Sequence, residues 1–403
     1  MKESIMKTNF RLAKRFKIRR AALNILFSLI VFSLFILALE IVLRTTHLFG
    51  ARISPSEPDP ILGWRFSPGR KYWHNKETDH PIVGRINSHG WRDKEWSVRK
   101  AHDTYRIAVL GDSMVEALQV ESDRTFLALT EHQLNEIYNI KAELMNFGLS
   151  GATQTEELLI LKNDVDQFSP DMVLLFFLPG NDIRDVSQET ALETHRPFYS
   201  ISENGGLILD TSFSQKREFR IRCYVNYFKK HSALISLLCE RYLAYRKCRA
   251  ERMSKGSDAG ISPKKLGRAL SLCTDTPDQR YLRSYRLNKI LIKAMSDYCR
   301  EKKIKFMIVC IETSACIPEN EKKYTTIDPT FDPNFFEDDL KNFAELLGVE
   351  YLGLQRIFRQ YYKSDGVLPY WGHWNYDGHK VVANALANKV ESILNRDGNE
   401  ADN

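Results

Sequence analysis

Short apolar runs alternate with helix-like segments through the middle of the chain, and this alternation limits the possible folds more than any other feature. The first three runs are "YRIAVLGDS", "AELMNFG" and "DMVLLFFLPGND", and "IKFMIVCIE" is a fourth. Segments whose apolar residues follow helical spacing separate them. Because consecutive parallel strands are usually connected by a helix, the pattern predicts a parallel sheet with helices on both faces.

Each of the first three runs ends in a glycine-containing tripeptide, namely GDS (111–113), NFG (146–148) and GND (180–182). The carboxyl ends of parallel strands form the ligand crevice of an open sheet. Acyl transfer needs a nucleophile and hydrogen-bond donors for the developing oxyanion. Ser113 can supply the first, and the amides of Ser113 and Gly148 with the side chain of Asn181 can supply the second. Each residue taken singly also fits an ordinary turn or helix cap, and we expect Asp112 to brace its turn.

With these motifs in this order, the chain resembles the SGNH (GDSL-type) hydrolases. That superfamily has a Ser in a GDS turn, a Gly, an Asn in GND, and a C-terminal His that an Asp usually precedes. The resemblance covers roughly residues 104 to 395 and maps the first three blocks onto Ser113, Gly148 and Asn181. It implies a flavodoxin-like three-layer α/β/α fold with a parallel sheet, and ester hydrolysis without a cofactor.

The resemblance also places the catalytic base in the loop before the last helix, where "YWGHWNYDGH" offers two histidines. His373 fits the family pattern, since it lies in that loop and is followed by one residue and Asn375. His379 falls inside the helix predicted to begin after Asn375, on a face with several apolar residues, which is typical of a packed side chain. His195 and His231 lack a motif. His373 is therefore the predicted base.

The acid expected two or three residues before the base is missing, because Tyr370 and Trp371 occupy that place. Three substitutes stay open. Asp365 on the preceding loop is the first candidate. Asp377 is the second, although an acid in the first turn of a helix also favours the helix dipole. A backbone carbonyl could instead orient the His373 ring and leave a Ser-His dyad.

Three aromatic residues crowd the histidine loop, namely Tyr370, Trp371 and Trp374. They can form a stacking platform for a sugar ring, or they can pack on the cap. The sequence favours neither role.

The N-terminus combines a basic tail with a long apolar run. Residues 1–20 contain eight Lys/Arg and one acid, and residues 21–43 read "AALNILFSLIVFSLFILALEIVL". A helix of this length, at about 1.5 Å per residue, spans a hydrocarbon core of roughly 30 Å. A cleaved signal peptide would have a shorter apolar region and a small-residue cleavage site. We therefore predict a single-pass helix in the cytoplasmic membrane, with the tail in the cytoplasm and the following residues outside.

The net charge of +7 gives no support to a nucleic-acid partner, because the basic tail alone supplies that excess. The seven cysteines all lie between 223 and 316, without the Cys-x-x-Cys or Cys/His spacing of a zinc site, so no metal is predicted. Outside the cytoplasm a disulfide is allowed, and the odd count leaves at least one thiol.

The composition of the chain also predicts where the α/β domain begins and ends. Residues 44–103 are rich in Pro, Gly and Trp, which predicts an irregular cap with short strands. The α/β domain is predicted over 104–396, with a basic helical insertion at about 225–275. The anchor, the "GWR" segment and the turn "NSHGWRD" together resemble the extracytoplasmic bacterial branch of the superfamily. That branch is associated with esterases and O-acyl transfer on cell-surface polysaccharides.

The leading hypothesis is a membrane-anchored serine esterase or O-acyl(acetyl)transferase that acts on an extracytoplasmic carbohydrate ester through Ser113 and His373. Its partners are then the membrane, through residues 21–43, and an ester or acylated glycan. One alternative is a non-catalytic glycan-binding or assembly protein on the same scaffold. Another is a lipase or lysophospholipase, since the anchor holds the site near lipid.

Overall fold

The computed structural model describes residues 2–46, 55–75, 77–78, 80–257 and 266–401. The chain divides into two compact units, one of Met1–Ser54 with Tyr224–Ala259 and one of Pro55–Cys223 with Gly260–Asn403. The helices, in chain order, are α1 Lys2–Thr46, α2 Ser113–Glu116, α3 Phe126–Glu136, α4 Gln154–Ile160, α5 Pro179–Asp185, α6 Arg217–His231, α7 Ala233–Ser257, α8 Gln279–Glu301, α9 Pro318–Ile327, α10 Phe335–Leu347, α11 Gln355–Asp365 and α12 Tyr376–Ala401. The strands are β1 Ser56–Asp59, β2 Gly63–Phe66, β3 Lys71–His74, β4 Ile82–Arg85, β5 Tyr105–Gly111, β6 Ala142–Gly148, β7 Met172–Phe177, β8 Phe198–Ile201, β9 Leu207–Asp210, β10 Lys305–Cys310 and β11 Glu350–Gly353.

Five parallel strands form the central sheet of the larger unit, in the order β11-β10-β7-β5-β6. The first strand of the sheet along the chain, β5, lies between the second and the third, which is the flavodoxin-like order. The order reverses between β5 and β7, so the crevice at the carboxyl ends of these two strands is the expected ligand site. The predicted parallel sheet and flavodoxin-like order are confirmed.

Alternate residues of the central strands point to opposite faces, and helices cover both faces. On one face Leu110 belongs to a buried cluster with Leu158 of α4 and Leu291 of α8. On the other face Val109 belongs to a cluster with Leu386 of α12. The sheet is therefore the middle of three layers, as the α/β/α prediction requires.

Two antiparallel hairpins, β1–β2 and β3–β4, form the region expected to be a cap. Phe66, Tyr72, Ile82 and Ile86 make a buried cluster of their own, and Leu118 packs against it. Because Leu118 follows α2 closely in the chain, this packing holds the β3–β4 hairpin beside the turn that begins with the GDS motif.

Several elements have no counterpart in the sequence predictions, namely the helices α9, α10 and α11, the edge strand β11 and the β8–β9 hairpin. The edge strand β11 has four half-buried residues, too few to show an alternating pattern. The β8–β9 hairpin lies in a polar stretch between α5 and α6. The "ENGG" sequence between its strands is the turn signal that could have predicted it.

The smaller unit contains α1, α7 and the end of α6. The segment Lys17–Thr46 of α1 is long and apolar enough to cross a membrane. Leu43, near the end of that segment, packs with Ala233 at the start of α7. Six cysteines are free thiols, namely Cys223, Cys239, Cys273, Cys299, Cys310 and Cys316.

Candidate active site

The GDS turn places Ser113 at the first position of α2, directly after β5. A Cβ atom on Gly111 would lie 2.4 Å from Cγ2 of Val115, so only glycine lets the helix fold back this sharply over the strand end. Asp112 is the N-cap, and its Oδ1 accepts a hydrogen bond of 2.9 Å from the amide of Met114. Asp112 therefore braces the turn, as predicted, and the Ser113 hydroxyl is partly exposed.

The loop between α11 and α12 brings His373 to this serine. The distance from His373 Nε2 to Ser113 Oγ is 2.8 Å, a normal hydrogen bond between residues 260 positions apart in the chain. Two residues later Asn375 caps α12, since its Oδ1 accepts from the amides of Asp377 and Gly378, both at 3.0 Å. The predicted N-cap is confirmed, and it fixes the end of the loop that carries His373.

A third side chain, Glu77, holds the other side of the imidazole ring. Its Oε1 lies 2.7 Å from His373 Nδ1, and its Oε2 accepts a hydrogen bond of 3.2 Å from the His373 amide. The Glu77 and His373 side chains are 16% and 29% exposed. Because the carboxylate can only accept, the geometry favours a proton on Nδ1, which leaves Nε2 free to accept the Ser113 proton.

Glu77 replaces the acids expected from the sequence. Asp365 ends α11, where Ser364 Oγ donates to its carboxylate at 3.0 Å. Asp377 lies 3.3 Å from Lys380 one turn along α12. Neither carboxylate contacts His373, and Nδ1 faces a carboxylate rather than a backbone carbonyl. All three substitutes considered for the acid are therefore corrected to Glu77.

The loop that carries Glu77 joins β3 to β4, and His80 at its other end makes a second contact, with a side chain that follows α2. His80 Nε2 lies 3.4 Å from Glu121 Oε1, and the Tyr376 hydroxyl donates to Glu121 Oε2 at 2.7 Å. Tyr376 is the first residue of α12. Glu77 at one end of the loop therefore contacts His373, and His80 at the other end contacts Glu121, which is also bonded to the start of α12.

Gly148 cannot serve as the oxyanion donor that the sequence suggested. Its amide donates to Asn146 Oδ1 at 2.8 Å, and the residue is buried. A Cβ atom there would lie 2.3 Å from the amide nitrogen of Glu116. The glycine is required because β6 ends directly against the backbone of α2, which is a packing role.

Asn181 lies in the first turn of α5, across the crevice from the GDS turn. Its Nδ2 donates to Asp112 Oδ2 at 2.9 Å, and burial raises the pKa of Asp112. Within the described residues, no acceptor is found for the second Nδ2 hydrogen, for the Ser113 amide or for the Gly151 amide. Gly151 lies in the loop after β6 at a φ of +72°, a conformation that favours glycine.

The residue after Asn181, Asp182, belongs to a buried network of polar side chains. Asp182 Oδ2 accepts from the Leu178 amide and from Gln154 Nε2, both at 2.8 Å, and Gln154 also donates to Glu157 at 3.1 Å. Burial first, and then the charge of neighbouring carboxylates, raise the pKa values of Asp182 and Glu157 well above their ordinary range. In the described part of the chain, no group of His, Cys, Asp and Glu is arranged to hold a metal ion.

Of the three aromatic residues predicted as a stacking platform, only one faces solvent. Trp374 is fully buried, and its Nε1 donates to Glu312 at 2.7 Å. The hydroxyl of Tyr370 donates to the same carboxylate at 2.8 Å. Trp371 is 40% exposed and makes an edge contact with Tyr376. Trp374 and Tyr370 are therefore packing residues, and the stacking role that the sequence left open does not apply to them.

The second histidine of the motif is a packing residue, as predicted. His379 is fully buried and stacks on Phe126, with ring centroids 5.9 Å apart. Its Nδ1 accepts a hydrogen bond of 3.1 Å from the Phe126 amide, and burial lowers the pKa of His379 to about 3. The ring is therefore neutral and does not reach Ser113.

No family model and no curated protein matches the chain. Among solved structures, it is similar to an alpha/beta hydrolase enzyme from the metagenome of Lake Arreo, Spain, at 15% identity over 72% of this chain and 95% of that one, with a TM-score of 0.37. It is also similar to a psychrotrophic esterase from Pseudoalteromonas sp. (12% identity, 72% and 99% covered, TM-score 0.36). A variant of an acetyl xylan esterase from Geobacillus stearothermophilus gives 12% identity, 73% and 97% covered, and a TM-score of 0.38.

Identities and TM-scores this low add nothing to what the sheet itself shows. The order of the five strands, with the GDS and GND turns at the carboxyl ends of β5 and β7, is the arrangement that the resemblance in the sequence implies. The chain has a flavodoxin-like α/β/α fold whose motif turns lie where the resemblance to the SGNH hydrolases implies. In this fold, the acid that contacts the histidine comes from the β3–β4 hairpin and not from the histidine loop.

Proposed function

We propose that this protein is a serine esterase or O-acyltransferase in which Ser113 is the nucleophile, His373 the general base and Glu77 the residue that positions the base. The observation that carries the proposal is the continuous chain of contacts from Ser113 Oγ to His373 Nε2 at 2.8 Å and from Nδ1 to Glu77 Oε1 at 2.7 Å. A nucleophile, a base and an orienting acid at these distances are what covalent acyl transfer needs.

In the proposed reaction Ser113 Oγ attacks the carbonyl carbon of the ester while Nε2 of His373 takes the hydroxyl proton. The C–O bond to the alcohol then breaks, and the imidazolium returns the proton to the leaving oxygen. Water, or the hydroxyl of an acceptor, attacks the acyl-serine and gives its proton to the same nitrogen. The bond between the acyl carbon and Ser113 Oγ then breaks, and the imidazolium returns the proton to Oγ as the acid or the new ester leaves. Glu77 accepts from Nδ1–H throughout and stabilises the imidazolium that forms twice in each turnover.

Three donors remain for the oxyanion that forms at the carbonyl oxygen. They are the Ser113 amide, the second Nδ2 hydrogen of Asn181 and the amide of Gly151, which replaces that of Gly148. Each of the three groups has no acceptor within the described residues, and each belongs to a loop or helix start at the carboxyl edge of the sheet. Removal of one such donor typically lowers kcat by about 10²–10³.

A carbohydrate ester is the proposed substrate class, and the exposed indole of Trp371, two residues from the base, supports it. Aromatic rings offer a flat apolar face to a sugar ring. We also propose a single-pass anchor in the cytoplasmic membrane, with the larger unit on the outer side. It is supported by the candidate span Lys17–Thr46 and by the eight Lys/Arg of residues 1–20. The non-catalytic alternative depended on a base without an acid, and Glu77 removes that reason.

A fluorophosphonate probe tests the mechanism on the full-length protein in detergent. We expect covalent labelling at Ser113 and its loss in His373→Ala, while His195→Ala is labelled like the wild type. His195 is a matched control because its side chain has the same 29% exposure as that of His373. A folded wild-type protein that is not labelled would refute the enzyme proposal and would leave the glycan-binding alternative.

The substrate class needs a second measurement. The wild type is supplied with an O-acetylated oligosaccharide and with p-nitrophenyl acetate, and both released acetate and newly acetylated acceptor are quantified by mass spectrometry. Turnover of the small ester alone would contradict the carbohydrate proposal, and an acetylated acceptor would identify transfer rather than hydrolysis.

A further inference from the structure

The start of α7 is tied to the end of the candidate membrane span by a carboxylate. Glu40 of α1 accepts hydrogen bonds from the amides of Ala233 and Leu234, at 2.7 and 3.0 Å, and from the Ser232 hydroxyl at 2.9 Å. Arg44 also donates to the carbonyl of His231 at 2.6 Å. A carboxylate in this position caps the N-terminus of α7 and satisfies amides that would otherwise lack partners.

This contact sets the depth of α7 relative to a bilayer. Glu40 lies three residues before the end of the apolar run 21–43. At a helical rise of about 1.5 Å per residue, the carboxylate is about 5 Å from the end of that run. If α1 spans the membrane, residues 231–234 therefore lie where the hydrocarbon meets the headgroups.

The chain on both sides of this tether exposes an unusual number of large apolar and aromatic side chains. Between 40% and 70% of each is exposed for Tyr224, Val225, Tyr227, Phe228, Leu238, Tyr242, Leu243 and Tyr245. Single exposed apolar residues are normal on a soluble surface, whereas a run of them within 22 residues marks an interaction site. Tyrosine in particular is enriched where a membrane meets water, because its ring is apolar and its hydroxyl is polar.

The charge of the same segment matches an anionic lipid surface. Residues 224–245 contain three Lys/Arg and one Glu, and the next ten residues, 246–255, add five Lys/Arg and one Glu. A helix that combines basic residues with exposed aromatic and leucine side chains is typical of a segment lying in a bilayer interface. Two copies of a stretch with this net positive charge would repel each other, which argues against a second copy of this chain as the partner.

We propose that residues 224–245, the end of α6 and the first half of α7, lie on the outer surface of the bilayer and insert their aromatic side chains among the lipid headgroups and upper acyl chains. The partner is an anionic phospholipid surface. This inference rests on the anchoring role of α1 in the proposed function, and it is independent of the esterase chemistry.

Photocrosslinking with lipid tests it on the full-length protein. The chain is placed in nanodiscs of phosphatidylcholine, with or without phosphatidylglycerol, that contain a diazirine-bearing lipid, and labelled peptides are identified by mass spectrometry. We expect labelling in α1 and in 224–245, with more in 224–245 when phosphatidylglycerol is present. Exposed apolar residues of the larger unit, Ile137, Leu192 and Leu346, are the unlabelled internal control.

A double variant of α7 tests whether its tyrosines make the lipid contact. Tyr242→Ser with Tyr245→Ser should lower labelling of the α7 peptide and leave labelling of α1 unchanged, whereas Ile137→Ser should change neither. Labelling of α1 without labelling of 224–245 would overturn the inference and leave the anchor intact. Absence of labelling in both would overturn the anchor as well, and esterase activity measured on the same nanodiscs reports separately on the active site.

Discussion

Replacement of Glu77 by glutamine is the most direct test of how the base is oriented. The carboxylate accepts two hydrogen bonds from one residue, one from His373 Nδ1 at 2.7 Å and one from the His373 amide at 3.2 Å. A glutamine of nearly the same shape offers only one acceptor oxygen. If that oxygen stays with the amide, the NH2 group faces Nδ1, and the ring adopts the tautomer with its proton on Nε2, where it cannot accept the Ser113 proton.

The size of the effect follows from the loss of the correct tautomer. In a serine protease the corresponding change lowered kcat by about 10⁴. Because glutamine can also keep its oxygen on Nδ1 for part of the time, we expect Glu77→Gln to lower kcat by about 10²–10⁴, or about 3–5 kcal/mol in activation free energy. KM should change little, because Glu77 is positioned to act on His373 and not on the substrate.

The assay is steady-state hydrolysis of p-nitrophenyl acetate by the full-length protein, with the thermal midpoint measured in parallel. Asp365→Asn and Asp377→Asn are the matched controls, since each removes one carboxylate that the sequence proposed for the same role. Both should keep wild-type kcat. Normal turnover in a folded Glu77→Gln, or loss of turnover in one of the controls, would refute the assignment of Glu77.

Three further predictions concern the fold and the substrate. Gly148→Ala should lower the thermal midpoint far more than Gly180→Ala. The new Cβ would lie 2.3 Å from the Glu116 amide nitrogen at position 148, whereas it has nothing within 4 Å at position 180. Equal midpoints would show that β6 is not packed as described. Burial raises the pKa of Glu312 to about 7, so the folded state keeps a proton that the unfolded chain releases. The free energy of unfolding should therefore fall as the pH rises from about 4.5 to 7, by about 3 kcal/mol from this group, and Glu312→Gln should remove that part of the fall in a denaturant titration; an unchanged slope would mean that Glu312 ionises freely. Trp371→Ala should raise KM for an acetylated oligosaccharide and leave kcat/KM for p-nitrophenyl acetate unchanged, and an equal effect on both esters would rule out a sugar contact.

Local spacing was enough to predict the elements that carry the serine and the histidine. The apolar runs around Val109 and Leu174 identify buried strands, and the GDS turn follows the first of them. Asn375 is recognisable as a helix cap, and the spacing around His379 identifies a packed face. These features depend on residues within one turn or one strand of each other, so the sequence alone contains the information.

Contacts between segments that are far apart in the chain could not be predicted from the sequence. Glu77 is 296 positions from His373 and lies in a polar hairpin loop without a motif. Whether the Gly148 amide is available depends on Asn146 and on the approach of α2, and whether Trp374 is exposed depends on the layer that covers it. The spacing of apolar residues along the chain contains no information about these contacts.

The sequence by itself therefore determined the parallel sheet, the order of its motif turns, the nucleophile candidate and the base candidate. Only the tertiary structure decided which carboxylate holds the base. The physical reason is that a hydrogen bond requires two side chains to lie within about 3 Å of each other. For Glu77 and His373 that distance is set by the packing of the β3–β4 hairpin beside α2, and no local pattern in either segment specifies it.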